Sequence, residues 1–312
     1  MRTTQSPEVY RNMGFWSEDV QQTILDTELV IAGTGGTGNA VGIKAAQIGI
    51  QRFKVADPEA FDRVNSNRVV GARTNTIGRN KAEVLREDIL AINPDAEVTV
   101  YNEGINPDNV DEFLASADVA LNGLELTQPE LGVMFARAAR KHEKGVPIID
   151  VEYIGHAGQG TVFDPHSKHT FERVMGIKGG EDAPLDEVKE QSISPDRYLA
   201  YLPAYGDMDT LKSVLNGSPL PSNAIGAGVA SDIAIAEILR LTRQKTGERG
   251  IKPTYATHFR WYDAYTGKSG ETHFPRVSYA RHAAKLVMNN LLGRNELASY
   301  TGQERQLRGD ID

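Results

Sequence analysis

The first third of the chain places glycines and a carboxylate at a spacing that suits phosphate chemistry. Four glycines fall within six residues directly after the apolar run at 29–32, and Asp57 ends the next apolar run. Glycines at a strand end let the backbone approach a phosphate with no Cβ in the way. A helix that starts there adds free N–H groups and the positive end of its dipole. These glycines are Gly33, Gly35, Gly36 and Gly38.

Asp57 favours a nucleotide-binding site over the simpler interpretation, in which the glycines only tighten a strand–helix junction. It lies about 20 residues past the glycines, where a carboxylate commonly accepts hydrogen bonds from ribose hydroxyls. The simpler interpretation gives no reason for an acid at that position. The two signals together indicate a Rossmann-like nucleotide site.

Amide and cationic side chains follow the second apolar run, where a redox enzyme of this class needs no fixed cation. Asn65, Asn67 and Arg68 come first, and Lys81 stands near the start of a predicted helix. A Lys at a helix start opposes the helix dipole, so we expect it to have an anionic partner. An Arg and a Lys together suit a triphosphate whose charge builds up on bridging and leaving oxygens. Taken singly, each residue also fits a solvated charged surface.

Taken together, these segments resemble the ubiquitin-activating-like adenylyltransferases, the ThiF/MoeB/HesA family. The resemblance is strongest over residues 8 to 165. The matching segments are Tyr10-Arg11-Asn12-Met13-Gly14, the glycine turn, Asp57-Pro58-Glu59, Asn65-Ser66-Asn67-Arg68, Ile77-Gly78-Arg79-Asn80-Lys81-Ala82 and Ile92-Asn93-Pro94.

The resemblance implies ATP and Mg²⁺ as cofactors and assigns roles to individual residues. Asn67 and Arg68 would bind phosphates, Lys81 would stabilise the departing pyrophosphate, and Arg11 would enter the partner subunit's site in a homodimer. Glu125 stands where the family holds magnesium with an Asp, and Glu59 also replaces an Asp. The implied catalytic residues are Arg11, Arg68, Lys81 and the metal ligand Glu125. The implied nucleotide contacts are Gly33, Gly35, Gly36, Gly38, Asp57, Glu59, Asn65, Asn67, Arg68 and Lys81.

Composition narrows the chemistry further. None of the 312 residues is Cys, which removes disulfides, thiolate nucleophiles and Cys-based zinc sites, so we expect no zinc. An active enzyme would therefore stop at the acyl-adenylate or pass the acyl group to an external acceptor. A net charge of −8 disfavours a general nucleic-acid binder. No apolar run suits a membrane span or signal peptide, so we expect a cytoplasmic protein.

The elements that position these residues alternate between strand and helix patterns. They predict an α/β fold: a Rossmann-like, doubly wound, mostly parallel sheet with an added C-terminal antiparallel portion. We expect one adenylation domain over 1–312, with a helical lead-in (1–27), a nucleotide-binding core (28–165), a substrate-loop region (166–224) and C-terminal helices and hairpin (225–312). Strands are predicted at 28–32, 52–56, 95–100, 117–121, 147–150, 160–164, 255–266 and 271–277. Helices are predicted at 39–48, 77–92, 106–116, 128–144, 183–190, 209–215, 224–242 and 278–292.

Two further groups bear on the substrate. Asp150 and Glu152 end a predicted strand near the site and suit either supporting groups or a base for an incoming nucleophile. Tyr198, Tyr201 and Tyr205 lie in the loop region and suit either a tail channel or ordinary packing.

Several functions remain open from the sequence. The leading hypothesis is adenylation of a carboxylate on the C-terminal tail of a small ubiquitin-like carrier protein or a peptide, with no membrane partner. Cyclisation of threonylcarbamoyladenosine in tRNA, within the same family, ranks lower because of the acidic charge. An NAD-dependent oxidoreductase shares the glycines and Asp57 but leaves Arg68 and Lys81 without a role. A scaffold that binds nucleotide without turnover is the remaining alternative.

Overall fold

A single eight-stranded sheet organises the chain, in a computed structural model that describes residues 1–191, 193 and 221–273. The strand order is β3-β2-β1-β4-β5-β6-β7-β8. The strands are β1 (Glu28–Ala32), β2 (Arg52–Ala56), β3 (Glu97–Tyr101), β4 (Val119–Asn122), β5 (Ile148–Ile154), β6 (Ala157–Phe163), β7 (His258–Asp263) and β8 (Lys268–His273).

The first five strands are parallel and the last three are added antiparallel, which confirms the predicted fold class. Ala32 of β1 is in register with Ala56 of β2 on one side and Asn122 of β4 on the other. The carboxyl ends of these strands therefore lie at one edge. The chain winds in opposite directions from β1 and β4, and ligands bind at such a switch point in open α/β sheets.

Helices cover both faces of the sheet. They are α1 (Glu18–Asp26), α2 (Gly36–Ile48), α3 (Lys81–Ile92), α4 (Val110–Leu114), α5 (Pro129–Lys141), α6 (Phe171–Met175), α7 (Leu185–Lys189) and α8 (Ala224–Thr246). Short 3-10 helices occupy Pro7–Asn12, Arg63–Asn67 and Gly180–Asp182. No helix in the described ranges is long and apolar enough to cross a membrane.

Side chains along β1 alternate between the two faces of the sheet, and each face packs against its own layer of helices. Leu29 and Ile31 pack into a cluster with α1, α2, α3 and α8, whereas Val30 and Ala32 pack into a second cluster with α4, α5, α6 and α7. All four side chains are fully buried, and each Val, Leu or Ile buried in this way contributes about 1.5–3 kcal/mol. The carboxyl edge is thereby held between two rigid layers.

The β5–β6 hairpin differs from the prediction. The strand predicted at 160–164 begins earlier, at Ala157, so Gly158 lies within β6 and not before it. A Cβ on Gly158 would lie 2.5 Å from the Ala230 backbone nitrogen. This glycine is therefore required by the close approach of α8, a long-range contact that local sequence does not reveal.

Other boundaries shift for local reasons. Helix α4 is shorter than predicted because Asn109 accepts a hydrogen bond from the Asn106 N–H (2.8 Å), forming a turn before the helix. Helix α6 is missing from the prediction altogether. The predicted helices at 209–215 and 278–292, and the three tyrosines of the loop region, lie outside the described residues.

Candidate active site

Two glycines, Gly33 and Gly38, are required by close backbone contacts beside the crevice between β1 and β4. Gly33 follows β1 with φ of 90°, and a Cβ on it would lie 2.2 Å from the Gly123 carbonyl oxygen. Gly38, one turn into α2, is equally constrained, because a Cβ there would lie 2.0 Å from the Gly33 carbonyl oxygen. Gly33 and Gly38 therefore set the approach of helix to strand, and Gly123 is a third required glycine that the sequence motif does not include.

The N-terminus of α2 is exposed to the crevice. Gly35 is its N-cap residue, and no side chain among the described residues bonds its first-turn N–H groups. A Cβ on Gly35 would meet nothing within 4 Å. Unlike Gly33 and Gly38, Gly35 is not required by packing. The open space beside it and the free N–H groups suit an anion.

Asp57 holds the glycine turn against the end of β2. Its side chain is 5% exposed. It accepts hydrogen bonds from the Thr34 N–H (2.7 Å), the Thr34 hydroxyl (3.1 Å) and the Glu59 N–H (3.0 Å). A carboxylate has about four acceptor sites, so one is left for a ligand hydroxyl. Asp57 thus has a structural role that the sequence did not predict, and it can still accept a bond from a ribose.

Arg68 and Asn67 lie at the end of the short helix Arg63–Asn67. Arg68 donates to the Asn67 side-chain oxygen (2.9 Å) and to the Val64 carbonyl (3.0 Å). Asn67 in turn donates to the Ser222 carbonyl (2.9 Å), next to the start of α8. The guanidinium is therefore oriented by neutral acceptors, and no described residue forms an ion pair with it, so its charge remains available to an anion.

Asn65 stabilises this turn. It is buried, its side chain accepts from the Asp62 N–H (3.0 Å), and the two residues form a reciprocal capping box. Its predicted contact with nucleotide stays a prediction.

Lys81 is the first residue of α3, and Asn80 caps that helix by accepting from the Ala82 and Glu83 N–H groups (2.9 and 3.1 Å). The Lys81 ammonium forms an ion pair with Glu59, and the Lys81 N–H donates to the Glu59 carbonyl (2.9 Å). The anionic partner that the sequence required for this Lys is therefore, in the free protein, Glu59.

Carboxylates gather at the end of β4: Glu125 follows that strand, whereas Asp150 and Glu152, which were predicted to end a strand, lie within the longer β5. Asp150 is 1% exposed and accepts from the Asn122 amide (2.6 Å), while its other oxygen is buried without a partner among the described residues. Burial raises the pKa of Asp150 to about 6. Burial, and then the charges of Asp150 and the exposed Glu125, raise the pKa of Glu152 well above its ordinary value.

This donor set fits magnesium only in part. Carboxylate oxygens are ligands that Mg²⁺ prefers, and it commonly uses one or two of them together with water and substrate phosphates. Within the described ranges, no three His, Asp or Glu side chains are arranged to hold a metal ion by themselves. Glu125 therefore suits a magnesium ion held mainly by the phosphates of a nucleotide.

Arg11 lies far from this edge. It is exposed on the helix Pro7–Asn12, whose Asn12 donates to the Ile48 carbonyl (3.1 Å) at the far end of α2. Helix α2 has 13 residues, so its two ends lie about 18 Å apart at 1.5 Å per residue. Arg11 is beyond reach of the crevice in its own subunit.

Tyr153 is a site residue that the sequence did not predict. A Cβ on Gly36 would lie 2.2 Å from the Tyr153 hydroxyl oxygen, so this hydroxyl lies over the first residue of α2. No short-range pattern signals that contact, because it depends on how far β5 extends past the sheet.

Comparison with known proteins identifies the family and the fold of the chain. The tRNA threonylcarbamoyladenosine dehydratase of Escherichia coli (strain K12) is 22% identical over 255 residues, which cover 75% of this chain and 93% of that protein. The sulfur carrier protein ThiS adenylyltransferase of the same organism is 26% identical over 147 residues, or 47% of this chain and 57% of that protein. The crystal structure of E. coli MccB with ATP has the same fold, with a TM-score of 0.61 and 16% identity over 88% of this chain and 74% of that chain. The ThiF family profile matches residues 9–285, more than half of the sequence, and the chain therefore belongs to the ThiF family.

Proposed function

We propose that this protein uses ATP and Mg²⁺ to adenylate a carboxylate at the C-terminal tail of a small carrier protein or a peptide. The products are an acyl-adenylate and pyrophosphate. The chain has no Cys, so no thioester forms on the enzyme and the acyl group passes to an external acceptor.

One observation carries the proposal: the uncapped N-terminus of α2 and two cations, Arg68 and Lys81, belong to the same edge of the sheet. The first turn of α2 offers N–H groups to a phosphate, and Arg68 is not paired with a described carboxylate. A hydride-transfer enzyme needs the glycines and Asp57 but gives no role to either cation. Phosphoryl chemistry needs all of them, because charge develops on oxygens around the attacked phosphorus.

The reaction needs no nucleophile from the protein. The substrate carboxylate attacks the α-phosphorus, the bond to the bridging oxygen breaks, and the electron pair leaves with pyrophosphate. Arg68 and the α2 N–H groups hold the phosphates in line for that attack. Lys81, released from Glu59 by the more highly charged triphosphate, neutralises the leaving group. Asp57 accepts a hydrogen bond from the ribose.

Magnesium, when bound, would neutralise charge on the phosphates. Among this chain's residues, Glu125 is the carboxylate that would hold it.

Relatives support a small carrier protein or a peptide as the substrate. The names of the ThiS adenylyltransferase and of a probable molybdopterin-synthase adenylyltransferase from Porphyra purpurea describe adenylation, the former on a sulfur carrier protein. MccB has been crystallised with AMPCPP and MccA. A homodimer belongs to the same proposal: Arg11 cannot reach its own crevice, and a second copy would bring it to the partner's.

A second candidate is cyclisation of threonylcarbamoyladenosine in tRNA. The sequence alignment supports this candidate, because it covers 93% of the E. coli dehydratase. The net charge of −8 disfavours tRNA, since binding phosphate backbones requires a concentrated cationic surface. We therefore place the carrier or peptide tail first.

ATP–pyrophosphate exchange tests the proposal. The enzyme is incubated with MgATP and labelled pyrophosphate, alone and then with candidate carrier tails, peptides or modified tRNA. We expect exchange that depends on one candidate and disappears in Lys81→Ala. Binding of NAD without binding of ATP would overturn the proposal.

A further inference from the structure

Tyr153 brings a phenol hydroxyl to the anion-binding end of α2. The hydroxyl lies so close to Gly36 that a Cβ there would be 2.2 Å from the oxygen and 3.0 Å from the ring carbon that bears it. Gly36 is the first helical residue of α2, and its N–H is one of those that no described side chain caps. A phosphate bound by that first turn would lie next to the hydroxyl.

The ring is held in place from a second side. A Cβ on Gly226, in the first turn of α8, would lie 3.3 Å from the Tyr153 Cδ2 atom. The ring also packs against the apolar cluster shared by α2 and α8. The hydroxyl position is therefore fixed by two glycines whose backbones approach the ring, and not by a mobile side chain.

Its protonation suits a hydrogen-bond donor. Burial raises the pKa of Tyr153 above its ordinary value, and the neighbouring Arg68 guanidinium only partly opposes that rise. The phenol thus stays protonated at neutral pH. Arg68 has no acceptor atom, so it cannot receive the phenol proton, and no described side chain does so.

We propose that the Tyr153 hydroxyl donates a hydrogen bond to a non-bridging phosphate oxygen of the nucleotide held by α2 and Arg68. The inference rests on the proposed function in one respect, that a nucleotide phosphate occupies this edge. It adds a phosphate-binding residue from β5, beside the Arg68 guanidinium of the β2–α3 connection.

Tyr153→Phe isolates the hydroxyl because it keeps the ring between α2 and α8. The matched control is Tyr101→Phe: Tyr101 ends the edge strand β3, where its hydroxyl meets Glu112 (3.3 Å). Affinities for ATP and for adenosine, which has no phosphate, are measured by calorimetry on both variants and the unsubstituted protein. We expect Tyr153→Phe to weaken ATP on the order of ten-fold, as for loss of a hydrogen bond to a charged group, with adenosine unchanged. Tyr101→Phe should leave both affinities unchanged.

Phosphorus NMR of bound ATP gives a second measurement that does not depend on turnover. We expect Tyr153→Phe to shift the resonance of the contacted phosphate and Tyr101→Phe to shift none. Unchanged ATP affinity and resonances in Tyr153→Phe would overturn the inference and leave adenylation intact. Equal weakening of ATP and adenosine would also overturn it, since it indicates a packing role. If the unsubstituted protein binds no ATP, the proposed function itself fails.

Discussion

Lys81 and Glu59 form an ion pair in which the two partners differ sharply in exposure: 8% of the Lys81 side chain is exposed, against 65% of that of Glu59. The ammonium is thus fixed in the protein, whereas its partner carboxylate lies largely in solvent. A buried ammonium at a helix start is unfavourable without an anion, because the dipole is positive there. Glu59 provides that anion in the free protein, and an incoming phosphate competes with it.

Replacing Glu59 with Gln should strengthen the binding of ATP in the absence of magnesium. The carboxylate that competes for Lys81 is lost, and the expected gain is a few-fold, as for a largely exposed ion pair of about 0.2–1 kcal/mol. Calorimetry in the presence of EDTA measures it. Glu103→Gln removes an equal charge from an exposed position after β3 and should have no effect. Weaker binding in Glu59→Gln would instead show that Glu59 contacts the nucleotide directly, as the family resemblance implies.

Replacing Lys81 with Ala should lower the rate of pyrophosphate exchange far more than the affinity for ATP. The ammonium acts on charge that develops as pyrophosphate leaves, so its loss raises the barrier to the chemical step. Loss of one such group commonly costs about 10²–10³ in turnover. Arg79→Ala is the control: Arg79 lies two residues away, pairs with Glu87 and is exposed. A matching loss of ATP affinity in Lys81→Ala would indicate that Lys81 binds the ground state.

Gly35→Ala should abolish tight ATP binding without unfolding the protein. Gly35 has a negative φ (−69°), and nothing lies within 4 Å of a Cβ added there. The new methyl group would occupy the space that we assign to phosphate. Gly228→Ala in α8 is the control, since its Cβ also meets nothing and Ala favours a helix by up to about 1 kcal/mol. Thermal denaturation and calorimetry check both; unchanged ATP affinity in Gly35→Ala would place the phosphate elsewhere.

Strands β1 and β2 were predictable from sequence because each is a short, largely apolar run that ends just before Gly33 or Asp57. Strands β1 and β2 have the predicted limits, and both set the positions of Gly33 and Asp57. Helix α2 extends three residues further toward its N-terminus than predicted, because glycines that disfavour a helix locally are held there by the packing of Gly38 on β1.

What sequence reasoning missed depends on contacts between distant segments. Tyr153 reaches Gly36 because β5 continues past the parallel sheet into the hairpin with β6. Gly123 contacts Gly33 because β4 pairs with β1 in the sheet, and the sequence around Gly123 does not indicate this contact. The burial of Asp150 and the internal bonds of Asp57 follow from the same assembly of strand ends, and neither has a signature within a few residues of its own position.

Replacing Asp150 with Asn should stabilise the protein above pH 6 and not below pH 4. Burial raises the pKa from 3.8 to about 6 in the folded protein, so the folded state binds more protons than the unfolded state between those values. Stability therefore falls as pH rises through that window, by about 2–3 kcal/mol in total. Asn removes this loss and keeps an oxygen for the Asn122 amide.

Urea unfolding of Asp150→Asn at pH 4, 5, 6 and 7.5 measures the effect. Asp108→Asn, an exposed replacement of the same kind, should follow the unsubstituted protein at every pH. A stability difference between Asp150→Asn and the unsubstituted protein that does not change with pH would mean that Asp150 ionises normally in the fold.

Mixing two inactive variants should restore activity if Arg11 serves the partner's site. Arg11 belongs to the Pro7–Asn12 helix at the far end of α2, and the length of α2, about 18 Å, separates that end from the crevice, so Arg11→Ala should impair exchange only through a second copy. In a mixed dimer of Arg11→Ala and Lys81→Ala, one site has the intact Lys81 of the first chain and the Arg11 of the second. Random pairing of equal amounts gives mixed dimers for half of the population, each with one complete site, and so about a quarter of full activity.

The comparison is with each variant alone, at the same total concentration and after the subunits have been exchanged. Arg11→Ala mixed with Arg68→Ala provides a second pair with the same expectation, because Arg68, like Lys81, belongs to the crevice of its own chain. If Arg11→Ala alone retains full exchange, Arg11 has no catalytic role. If it is inactive and mixing restores nothing, its role lies within its own subunit, where it would act on the packing of Pro7–Asn12 against the end of α2 and not on the phosphates.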